Sequence, residues 1–142
     1  MSYFIDNKSS FQLEPNNKSG LRNCQLGAIW ALKSHFTTSS NSIASLISMP
    51  TGSGKTALMM ATCFELNLNK VLIVVPSKIL RRQISEQFRS LKVLKDAGCL
   101  QDDAPEVNVF EVTKRQKTRE QWVEILNEHD IIVAHPNSIS PY

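Results

Sequence analysis

Apolar and polar positions change their spacing several times along the chain, and each change marks a predicted element. Leu21, Cys24, Ala28, Ile29, Leu32 and Phe36 recur at three- and four-residue steps, which predicts an amphipathic helix over 21–36. Gly27 lies inside it and weakens helix preference by roughly 1 kcal/mol, an amount that packing offsets. A β-like run at 43–49 is followed by a helical run from Ala57 to about 66–68, whose Leu58, Met59, Ala61, Thr62 and Leu66 are placed to cover a sheet. Val71-Leu72-Ile73-Val74-Val75 shows no polar alternation and reads as a strand buried on both faces. Pro76 ends it, and Ser77 is placed to cap a helix with Leu80, Ile84, Phe88 and Leu91 on its apolar stripe. Arg81, Arg82, Arg89 and Lys92 fall off that stripe.

Residues 93–106 read as loop, and 107–112 alternate as a strand. Thr118 and Gln121 have capping-box spacing ahead of a helix running through Trp122, Ile125 and Leu126 to about Glu128. Residues 130–134 are a second strand of the buried type. Residues 1–20 are polar and turn-rich, an irregular lead-in with a short ordered piece near 3–5 or 11–13. Strand and helix therefore alternate from 21 to 142, which predicts one α/β domain: a parallel sheet flanked by helices and joined by right-handed crossovers.

Composition narrows the class without naming a function. The 142 residues have room for one domain, and 42% hydrophobic with 20% charged residues is ordinary for a soluble globular protein. A net charge of +3 is too small to demand nucleic acid by itself. The three cysteines, Cys24, Cys63 and Cys99, have no metal-ligand spacing and read as intracellular thiols. Neither a leader pattern nor an 18-residue apolar run is present, so a cytoplasmic protein without a membrane span is expected.

The chemistry concentrates at 49–56, Met-Pro-Thr-Gly-Ser-Gly-Lys-Thr, between the first strand and the next helix. Gly52 and Gly54 can take positive φ and turn backbone N–H groups into one concave nest. A helix start adds free N–H groups and a favourable dipole for anions. Lys55 is placed to reach the β- and γ-phosphates of a nucleotide, and the Thr56 hydroxyl to ligate Mg²⁺. Met49 stands where the strict G-x-x-x-x-G-K-[ST] pattern has its first glycine.

Pro50-Thr51-Gly52-Ser53-Gly54-Lys55-Thr56 resembles motif I of superfamily 2 helicases and translocases, where that first glycine is often replaced. Leu21-Arg22-Asn23-Cys24-Gln25 is similar to the Leu-Arg-x-x-Gln element preceding it, whose glutamine reads the adenine edge; taken alone, Gln25 reads equally as a surface residue. The resemblance assigns Arg22, Gln25, Pro50, Thr51, Gly52, Ser53, Gly54, Lys55 and Thr56 to the nucleotide, with Lys55 and Thr56 catalytic. Val74-Val75-Pro76-Ser77-Lys78-Ile79-Leu80-Arg81-Arg82-Gln83 resembles motif Ia, which grips a nucleic-acid backbone; a hydroxyl, helix N–H groups and a lysine are suitable phosphate partners. Asp130-Ile131-Ile132-Val133-Ala134-His135-Pro136-Asn137-Ser138-Ile139 looks like motif Ib. Pro76, Ser77, Lys78, Arg82, His135, Pro136 and Asn137 are then the expected nucleic-acid contacts. Standing alone, Ser77 reads as a helix cap and His135 as a turn residue. Basic Lys114-Arg115-Gln116-Lys117-Thr118-Arg119 is open to either a phosphate-binding or a solvated reading.

The match to type III restriction subunit-like and DEAD/DEAH-like members implies a P-loop, RecA-like fold, ATP with Mg²⁺, and DNA rather than RNA. It also implies elements that do not occur here. The 142 residues contain no Asp-Glu-x-[His/Asp] strand, so that motif and the second RecA-like domain with its arginine finger are expected outside them. The expectation is the front part of such a motor, with missing helicase domains in the same or another chain and no turnover alone. In that family the strand bearing the acidic motif lies beside the P-loop strand, so 43–49 is expected to show an unpaired apolar edge. Two other readings stay open: a non-catalytic nucleotide-binding fragment completed by a partner chain, and a small P-loop kinase.

Overall fold

Four consecutive apolar residues, Ile131–Ala134, form the strand on which everything else is stacked. In the computed structural model, which describes residues 2–16, 18–39 and 43–141, this strand (β3) is central in a three-stranded sheet of order β1-β3-β2. β1 (Val71–Val74) and β2 (Val109–Glu111) both pair with it in parallel, Val71 and Val109 each standing opposite Ile131. Successive side chains of a strand point to opposite faces, so an unbroken apolar run needs cover on both. Ile131 and Val133 enter the main core, whereas Ile132 and Ala134 join Val112 and Ile125 on the other face.

Parallel neighbours need long crossovers, and the helices supply them. After β1 come α4 (Lys78–Ser90) and α5 (Lys92–Asp96), and after β2 comes α6 (Arg119–Glu128). α6 covers the Ile132 face through Ile125. α1 (Tyr3–Asp6), α3 (Lys55–Glu65), α4 and α5 feed the other core, where Phe4, Phe64, Phe88 and Leu94 are fully buried. α2 (Asn23–Thr38) lies against α3, and a short α7 (Pro136–Ile139) follows β3. The α/β parallel sheet flanked by helices is thus the architecture expected.

Local signals hold where they act locally. The Ser77 hydroxyl accepts from the Leu80 N–H at 3.1 Å and starts α4. Thr118 and Gln121 exchange the two bonds of a capping box, each at 3.3 Å. The expected loop at 93–106 begins with the last residues of α5, and 97–106 are turns and irregular backbone apart from one isolated bridge at Leu100. Leu91, itself buried, takes a left-handed φ of 51° that ends α4 and turns the chain so that Leu94 re-enters the core.

The ordered piece of the lead-in is deeper in the core than its polar composition suggests. Phe4 meets Phe64 edge-on at 5.0 Å between centroids, and Phe11 stacks on the same ring at 4.6 Å. The Tyr3 hydroxyl donates to the Pro105 carbonyl, its N–H to the Asp130 carboxylate at 3.2 Å. Burial, with Asp130 beside it, pushes that phenol up to about 12. Glu65, at the end of α3, accepts from Lys33 Nζ at 2.7 Å and Lys8 Nζ at 3.1 Å. Burial works to raise its carboxyl, but these two bonds outweigh it and hold the group below the ordinary glutamate value.

Two expectations fail here. Residues 43–49 form no strand: they run irregularly, with Leu46 94% exposed. β1 is not buried on both faces, since Leu72 and Val74 are 55% and 47% exposed. Among the described residues nothing pairs with the outer edge of β1. Instead, a groove of about 460 Å³ separates that edge from 43–49, lined by Ile47, Met49, Leu58, Leu72 and Val74. A strand exists through hydrogen bonds to its neighbour; without one, β propensity does not order the backbone.

Candidate functional site

The loop 50–54 is shaped by its own carbonyls and by the first turn of α2. Gly52 and Gly54 take φ of 78° and 89°, values that L side chains rarely adopt. Gly54 is the N-cap of α3 and offers it no side-chain cap, so the first N–H groups of that helix face the loop's hollow without a side-chain partner. Ser53 folds back on Pro50, whose carbonyl accepts from the Ser53 N–H at 3.2 Å and its hydroxyl at 2.6 Å. Lys55 Nζ donates to the same carbonyl at 3.2 Å.

From α2 come three contacts to three successive carbonyls. Arg22 Nη1 donates to Gly52 O at 2.6 Å, Cys24 Sγ lies 4.0 Å from Ser53 O, and Gln25 Nε2 donates to Gly54 O at 2.9 Å. Gln25 Oε1 accepts the Arg22 N–H at 2.7 Å. Gln25 is 4% exposed. A Cβ at Gly54 would stand 2.1 Å from Gln25 Nε2, so the approach itself demands glycine there.

A cavity of about 500 Å³ opens against this loop, lined by Arg22, Gly52, Lys55, Thr56, Gln87 and Val93. The sequence reading did not foresee Gln87 and Val93. They come from α4 and α5, and the only available signal was that helices following a sheet strand fold back towards the first loop. Pro50 and Thr51 are exposed, Thr56 half-buried. Among the described residues no cluster of three or more His, Cys, Asp or Glu side chains could hold a metal ion.

The second group of expected residues gathers at the C-terminal ends of β1 and β3. His135 Nδ1 accepts from the Asn137 N–H at 3.2 Å, which leaves the proton on Nε2 to reach the Pro76 carbonyl, also at 3.2 Å. One imidazole thus ties the two strand ends together, and with both nitrogens engaged it is a turn residue. Lys78, Pro76, Pro136 and Asn137 are exposed beside it. The Ser77 hydroxyl accepts from the Leu80 N–H as the α4 cap and keeps its own O–H as a donor. Arg82 points outward and pairs with Glu86 at 3.3 Å, an exposed pair of little energetic weight. Arg81, expected off the apolar stripe, is instead 8% exposed and bonded to Glu111 at 3.0 Å. Its stem lies in the packing while its head reaches the end of β2.

No helix among the described residues is long and apolar enough to cross a membrane. None of the curated proteins matches the chain. A solved structure described as a hypothetical ATP-dependent RNA helicase from Sulfolobus tokodaii is similar, with 23% identity and a TM-score of 0.48 over 98% of this chain. The chain spans 35% of that protein's length. The family model described as type III restriction enzyme, res subunit, matches residues 18–140, and the chain, carrying its glycine-rich loop and parallel sheet within that span, belongs to this helicase-like, ATP-dependent family.

Proposed function

We propose that these residues are the ATP-binding portion of a superfamily 2 helicase or translocase that works on DNA. The observation that carries the reading is the loop 50–54, whose left-handed glycines open α3 with Lys55 and Thr56 in its first turn, facing a cavity of nucleotide-sized volume. The residues suit a nucleotide triphosphate with Mg²⁺. Lys55 needs only to leave the Pro50 carbonyl to meet a phosphate, and Thr56 supplies one oxygen ligand. With few protein ligands at hand, Mg²⁺ would keep waters and take further oxygens from the phosphates, as is usual for that ion. Bound MgATP supplies the phosphoryl group and the charge of the metal. The chain holds the phosphates by N–H groups and Lys55.

The nucleic-acid side of the proposal rests on Ser77, Lys78, Pro136 and Asn137, brought together where His135 joins the ends of β1 and β3. DNA is favoured by the motif I wording and by the restriction-enzyme name of the family. A nucleotide-binding chain completed by a partner is the second reading, supported by the apolar groove along the unpaired edge of β1. In both readings the 142 residues alone hydrolyse ATP no faster than background, because among the described residues no acidic metal anchor or water positioner lines the site.

Calorimetric titration with MgATP tests the common core. Lys55→Ala should weaken binding by about ten- to a hundredfold, the range of a charge-assisted bond, with no change in the thermal midpoint beyond a few degrees. Equal affinity in the variant would remove the P-loop assignment. Turnover that disappears in Lys55→Ala would overturn the claim that the chain is inactive alone.

A further inference from the structure

Resting on the nucleic-acid reading above, we infer that the basic loop 114–119 is a further phosphate-binding surface, which carries the contact of Lys78 and Asn137 across the sheet edge to the end of β2. Lys114, Arg115, Lys117 and Arg119 put four cations into six residues. In a parallel sheet all strands end on the same edge, so the chain leaving β2 emerges beside the ends of β1 and β3. The order β1-β3-β2 places the root of the loop two strand spacings from the root of Lys78, about 10 Å. That is far enough for the two groups to meet different phosphates of one strand.

The loop is held at this edge and is not neutralised there. The Arg115 guanidinium donates to the Ser140 carbonyl, just past α7, and so ties the loop to the segment that carries Pro136 and Asn137. Glu111 is the only carboxylate from 107 to 119, and it is bonded to Arg81 at 3.0 Å. Lys114, Lys117 and Arg119 are exposed, and none of them takes part in an ion pair among the described residues. Lys117 and Arg119 also flank Thr118, the N-cap of α6, where the helix dipole disfavours cations; Glu120 in the first turn offsets one of them. An anion laid against the loop relieves both the mutual repulsion and the clash with the dipole. Exposed charges spread along a loop suit a repeating polyanion better than a single small anion. No aromatic side chain occurs from 111 to 119, so the loop offers bases nothing to stack on, and its contacts are to the backbone and blind to sequence.

The test is fluorescence anisotropy of a labelled oligothymidylate, titrated over a range of salt with wild type, Lys78→Gln, Lys92→Gln and the double variant Lys114→Gln/Lys117→Gln. Lys92 lies on α5, paired with Asp96, and controls for charge lost elsewhere. All four lysines are exposed, so each variant keeps its fold. The double variant is expected to bind about ten- to thirtyfold more weakly near about 0.1 M salt, and its slope of log affinity against log salt to flatten by about 1.4, the share of two single-strand contacts. Lys92→Gln should match wild type. A double variant that binds like Lys92→Gln overturns the inference, and a loss in Lys78→Gln from the same titrations leaves the strand-end reading standing. Polyglutamate that displaces the oligonucleotide as well as unlabelled oligothymidylate does, charge for charge, also overturns it, because the loop then serves an acidic polypeptide. A wild-type chain that binds neither oligothymidylate nor a duplex of mixed sequence refutes the nucleic-acid reading and the inference with it.

Discussion

β3 and residues 43–49 lie on opposite sides of β1 and begin from similar material, short apolar runs with β-branched members. β3 has a strand on either side and helices on both faces, and all four of its residues are buried. Residues 43–49 have a groove where a neighbour would stand, and their backbone follows no ladder. β1 stands between the two cases, paired on one edge and with Leu72 and Val74 exposed on one face. The gradation shows that strand formation here is cooperative across the sheet. Here each run with at least one paired neighbour is a strand and the run without one is not.

Three substitutions sharpen that comparison. Val133→Asp puts a carboxylate where no water reaches, and should cost more than about 4 kcal/mol, leaving no cooperative unfolding transition in urea. Thr118→Ala removes the cap of the crossover helix that delivers β3, and should cost about 1 kcal/mol, read as a lower urea midpoint with an unchanged slope. Leu46→Asp, at a nearly fully exposed position, should lie within about 0.5 kcal/mol of wild type. A large loss from Leu46→Asp would mean that 43–49 is packed in solution, and the comparison would collapse.

How much was legible in the chain follows the same division between local and distant causes. The Ser77 and Thr118 caps were readable because donor and acceptor lie three residues apart. β3 was readable because an unbroken apolar run admits few other fates. The glycine-rich loop was readable because left-handed glycines before a lysine and a hydroxyl are a local requirement. By contrast, the order of 43–49 depends on a neighbour that the run itself does not encode. Phe4 and Phe11 show no periodicity of their own, and their burial depends on Phe64, far along the chain. Arg81 was misplaced because a helical stripe ranks residues by apolarity, whereas its burial is licensed by Glu111 on a strand that packs against α4. Gln25 was expected near the loop, and its burial and its bonds to Arg22 and Gly54 are contacts that no local spacing encodes.

The contact between Lys55 and the Pro50 carbonyl alters how an incoming anion meets the site. The ammonium, on the exposed surface of the loop, lies 3.2 Å from an oxygen of its own chain that carries only a partial negative charge. Binding becomes a swap of one acceptor for another, and the carbonyl acts as a threshold. On the proposed reading, a charged phosphate oxygen is a stronger acceptor than that carbonyl and takes the lysine from it, whereas a weakly polar molecule of the same size offers no such gain.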